Sequence, residues 1–108
     1  MSILFYDHLI NKEEVIILIE STDEPENHKS RAKQLVDDII HQEIINFILD
    51  KLEEPKHKTF LYLIEERPYD PEIIIFLQEH VSPTIDRELQ EFASSLIEEI
   101  KRDFLSEE

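Results

Sequence analysis

The chain has no glycine among its 108 residues. Glycine lets a backbone take positive φ or approach an anion closely, and other residues do so only at a cost. A Walker A phosphate loop or a GxGxxG dinucleotide turn cannot be written without it. Two-residue hairpins of type I′ or II′ also lean on it, so tightly turned antiparallel sheet is disfavoured. A glycine-free chain rich in Leu, Ile, Glu and Lys is expected to form helices separated by proline and by Asp/Ser punctuation.

Charge narrows the partners. There are 11 basic residues against 26 acidic ones, a formal −15. A nucleic-acid binder needs a basic face to displace counterions from phosphates, and this chain would be repelled. Anionic membrane surfaces are disfavoured for the same reason. With no cysteine there is no disulfide, thiolate nucleophile or cysteine-ligated metal. No stretch approaches the roughly 18 apolar residues that span a bilayer. The start, MSILFYDHLINKEE, lacks a basic leader region and its apolar run stops at Asp7, so no signal peptide is expected. A hydrophobic fraction of 41% is enough for one modest core. The expectation is a single soluble cytoplasmic domain over residues 1–108.

Apolar spacing places the helices. The first is expected over residues 7–21, although VIILI at 15–19 is β-branched and continuous and fits a short strand as well. No other segment offers a strand for it to pair with. A second helix over 29–53 carries Ala32, Leu35, Val36, Ile39 and Ile40 at 3/4 spacing, then widens until apolar residues cover most of its circumference. Glu54-Pro55 is expected to end it, because a residue before proline avoids αR. A short third helix covers 56–66. Asp70-Pro71-Glu72 is a helix-start signal for a fourth over 71–80, with Asp70 as cap. The last helix, 84–105, has the cleanest stripe: Ile85, Leu89, Phe92, Ala93, Leu96, Ile97, Ile100 and Phe104. The expected fold is all-α, a compact irregular bundle of four to five helices.

The succession INFILDKLEE, FLYLIEE, DPEIIIFLQEHV and TIDRELQEFASSLIEEI, spread over about two-thirds of the chain, resembles an uncharacterised family of small acidic all-helical bacterial domains. The resemblance implies the helical fold and brings no activity with it.

Few residues point to chemistry. Asp38 and His41 share a helix face at the spacing used in di-iron bundles, but such a site needs two such pairs and further inward carboxylates. Glu54 and His57 have the same spacing across Pro55. Ser94 and Ser95 sit in mid-helix without a nucleophile elbow. Neighbouring carboxylates such as Glu98 and Glu99 point about 100° apart and do not face one cleft. His80 is expected near a helix C-terminus, where the dipole favours a cation. No catalytic, cofactor or metal residue is therefore assigned, and the chain is not expected to be an enzyme. Lys29, Arg31 and Lys33 form a basic cluster at an unfavourable helix N-terminus, and segment 55–68 has three basic residues against two acidic.

The excess of apolar residues has the strongest functional claim. Helices three and four are apolar around almost their whole circumference, and either they form a buried hairpin or part of them meets another chain. Phe60, Tyr62, Ile74, Ile75 and Phe76 are the candidate interface residues. The expected function is a non-enzymatic interaction or structural module that self-associates as a homodimer. The alternative is an acidic decoy for a basic protein surface, with a metal-binding or catalytic bundle third.

Overall fold

Proline and asparagine decide where the helices of this chain begin. The computed structural model describes residues 4–106. It contains a 3₁₀ turn at Asp7–Leu9 and then α1 (Glu13–Glu20), α2 (Glu26–Lys51), α3 (Glu54–Glu66), α4 (Glu72–His80) and α5 (Ile85–Ser106). The architecture is all-α, and no strand occurs among the described residues. The outermost positions of the expected domain, 1–3 and 107–108, lie outside that range.

The expected first helix, 7–21, is in fact two pieces. Ile10 is extended (φ −122°, ψ 131°), and the Asn11 side chain accepts the Glu13 N–H at 3.0 Å to start α1. Asparagine competes with the backbone for hydrogen bonds and so breaks the helix here. Residues 15–19 are helical, with Val15 and Ile19 one turn apart in the core and Ile17 on the opposite side, 57% exposed.

Helix α2 starts at Glu26, three residues before the expected 29. Extended Pro25 precedes it and its carbonyl accepts the His28 and Lys29 N–H groups, both at 3.0 Å. Two of the three bases that oppose the α2 dipole, Lys29 and Lys33, are explained by the neighbouring helix. Lys29 Nζ donates to the Glu20 carbonyl at the C-terminal, negative end of α1, and Lys33 pairs with the Glu20 carboxylate. That hydrogen bond from Lys33 holds the Glu20 carboxyl below its usual range.

The break after α2 also falls earlier than expected. Leu52 and Glu53 are extended, so Pro55 does not end α2 but occupies the first turn of α3. Proline is tolerated there because the first helical N–H groups have no partner. His57 Nε2–H donates to the Leu52 carbonyl at 2.7 Å and so satisfies an acceptor at the end of α2. Asp70 starts α4 as expected. Its side chain accepts the Glu72 N–H at 2.9 Å and its carbonyl the Ile73 N–H at 3.0 Å.

Helices α2 and α5 run antiparallel: Phe47 stacks on Phe92 with ring centroids 4.3 Å apart, and Lys51 lies 3.6 Å from Glu88. Helix α1 packs on both, α4 packs on α5, and α3 pairs with α4. The molecule measures 46 × 24 × 21 Å. At ~1.5 Å per residue α2 is long enough to set most of that length. One core joins Val36, Ile40, Ile44 and Ile48 of α2 to Ile73 and Leu77 of α4 and Ile85 and Leu89 of α5. Apart from Tyr6, whose ring carries a hydroxyl, no polar or charged side chain is buried among the described residues. At roughly 1.5–3 kcal/mol for each fully buried aliphatic, this core is the main stabilising term. Only part of the early α2 stripe joins it, because Leu35 and Ile39, 100° round from Val36 and Ile40, face outward.

Candidate functional site

Two places on the molecule can be weighed as sites. The first is a cleft of about 500 Å³ between the segment preceding α1 and the middle of α2. The Leu4 N–H donates to Asp7 Oδ2 at 2.8 Å, and this local turn directs Phe5 and Tyr6 into the core. Tyr6 is 2% exposed, and its hydroxyl lies 2.7 Å from His41 Nδ1. Burial raises the Tyr6 pKa strongly, and negative Asp7 and Asp37 add to the shift. The phenol therefore keeps its proton and can donate it to His41 Nδ1. Lys12 Nζ donates to Asp37 Oδ1 at 2.6 Å across the cleft mouth.

Asp38 and His41 both line this cleft, but they turn to different partners. Asp38 accepts from Gln34 Nε2 at 3.0 Å, and His41 is taken by Tyr6. Among the described residues no three His, Asp or Glu side chains are grouped to hold a metal ion. A phenol held protonated is a poor nucleophile and a poor base. The cleft polar groups thus work mainly as a latch that fixes the N-terminal segment to α2. Replacing Tyr6 by phenylalanine should lower stability by about 1 kcal/mol, since His41 Nδ1 loses its donor. Urea denaturation reads this directly, and an unchanged midpoint would show that the bond holds nothing.

The second place is the outer side of α3 and α4. Phe60 does not belong to it: its ring is 0% exposed and sits edge-on to Phe5, with centroids 6.4 Å apart. A run of consecutive apolar residues does not say which of them points inward, and here Phe5 fixes the phase. Tyr62 is 63% exposed and Ile75 is 45% exposed, while Ile74 and Phe76 are half-buried against the core. The Phe76 ring also meets the His80 ring at 4.5 Å in the last turn of α4. Leu61 (45%) and Tyr69 (63%) join the exposed set. Neither was singled out by sequence: Leu61 lies within the apolar run of α3 and Tyr69 within the RPYDP turn.

The fold defines the class, an acidic all-α domain. No protein-family model, curated protein or solved structure matches the chain. No helix among the described residues is long and apolar enough to cross a membrane.

Proposed function

We propose that this chain is a cytoplasmic, non-enzymatic interaction module that self-associates as a homodimer through the outer side of the α3–α4 hairpin. One observation carries it. Of the eight large hydrophobic side chains exposed among the described residues, Leu61, Tyr62, Tyr69 and Ile75 fall within fifteen residues of sequence. The same stretch overlaps segment 55–68, whose formal charge is +1, so the rest of the chain carries −16. The fifteen residues 61–75 themselves carry −3, so the weakest self-repulsion belongs to the α3 part of this side, at Leu61 and Tyr62. A second copy can approach this side with less electrostatic penalty than any strongly acidic face would impose.

Light scattering over a concentration series tests it. The mean mass should rise from 12.9 kDa toward twice that value. A monomer that persists at high micromolar concentration would sink the proposal. The −15 charge favours a second reading, an acidic decoy for a basic protein surface, whose dependence on salt has the opposite sign.

A further inference from the structure

We infer that the two copies meet with their α3 helices antiparallel, about a two-fold axis at Leu61 and Tyr62. This rests on the self-association proposed above and specifies its geometry. The outward face of α3 runs in the order Lys58, Leu61, Tyr62, Glu65, all exposed, with exposed Glu66 beside Glu65. Positions 58, 62 and 65 are i, i+4 and i+7, so they form one stripe. The opposite side holds buried Phe60 and half-buried Leu63 and Ile64. The stripe is therefore basic at its start, apolar in its middle and acidic at its end.

That order is self-complementary in one orientation only. About a midpoint between residues 61 and 62, Lys58 of one copy stands opposite Glu65 of the second, and Glu65 opposite Lys58. Parallel helices would set Lys58 against Lys58 and the carboxylates against each other. Antiparallel packing also opposes the two helix dipoles favourably. Glu54 lies a turn beyond Lys58, past the end of the opposing helix.

The charges are free for this use. Lys58, Glu65 and Glu66 have no ion-pair partner among the described residues. Six of the 11 bases, Lys12, Lys29, Lys33, Lys51, Arg67 and Lys101, are paired within the chain, whereas Lys58, like Arg31, Lys56 and Arg87, forms no ion pair among the described residues. Exposed ion pairs add little affinity but do select orientation, because like charges in the wrong alignment repel. A specific contact needs about 800 Å² from each partner, more than a helix of this length supplies. Tyr69 and Ile75 at the α4 side would widen it.

The absence of cysteine makes the test direct. Chains carrying Lys58→Cys or Glu65→Cys are purified separately, treated with a short bifunctional thiol crosslinker alone and mixed, and compared with Gln90→Cys on the exposed side of α5. The antiparallel geometry predicts rapid 58–65 crosslinking in the mixture, with each chain alone no faster than the control. Self-crosslinking of Lys58→Cys as fast as the mixture would overturn the orientation and leave self-association standing. A dimeric mass with no crosslink above control would place the contact on another face and reject the inference. A monomeric mass would remove both the inference and the function it rests on.

Discussion

Truncating Phe60 to alanine is expected to bring the domain close to unfolding, whereas the same change two residues later, at Tyr62, should leave the fold intact and abolish self-association. Phe60 is 0% exposed and packs edge-on against Phe5, whose own ring meets Tyr6 edge-on at 5.1 Å. The Phe5 N–H donates to the Pro68 carbonyl at 2.8 Å, so the turn after α3 is tied to the same point. Removing the ring opens a cavity where α3, this turn and the N-terminal segment meet. Buried Phe→Ala changes cost about 3–5 kcal/mol, against a total of about 5–15 kcal/mol for a small domain. Tyr62 is 63% exposed, and surface substitutions of this kind usually stay within about 0.5 kcal/mol. Urea midpoints and light scattering on both variants separate the effects. A Phe60→Ala protein as stable as the parent would refute the packing of α3. A Tyr62→Ala protein that still dimerises would refute the proposed face.

The contrast between these two residues also shows what sequence can specify. Helix α5 was legible because its apolar residues repeat at 3.6 and leave a continuous polar side, so period and phase are both written in the chain. In α3 and α4 the apolar residues are consecutive. Their helical state follows from the Asp70-Pro71 start and the absence of glycine, but which residue faces inward depends on a contact more than fifty residues away, Phe5 on Phe60. That is why Phe60 was grouped with Tyr62. The boundaries at Pro25 and Pro55 were misplaced for a related reason. Proline disfavours αR in its predecessor, which suits a helix end, yet is itself tolerated in a first helical turn, which suits a start; at Pro55 the second wins, and Glu54 is already helical. The cleft was illegible. Tyr6 and His41 are 35 positions apart, and no local pattern announces that a phenol near the N-terminus will donate to an imidazole in mid-α2.

Ionic strength is expected to decide whether the dimer forms at all. Each copy carries −15, and the two narrower dimensions of the molecule are 24 and 21 Å. Treated as point charges in water one such width apart, two copies repel by roughly 17 kcal/mol at 0.01 M salt, where the screening length is about 30 Å. At 0.15 M the screening length is about 8 Å and the same repulsion falls to roughly 2 kcal/mol. A micromolar association is worth about 8 kcal/mol, so the first figure overwhelms it and the second does not. The Lys58–Glu65 pairs cannot reverse the trend, because exposed pairs contribute about 0–1 kcal/mol each. Light scattering should therefore report monomer at 0.01 M and dimer at 0.15 M and above. Binding to a basic partner would respond the other way, since screening weakens attraction between opposite net charges. The sign of the salt dependence thus separates the two functional readings. A self-association that weakens steadily as salt rises would reject apolar self-association.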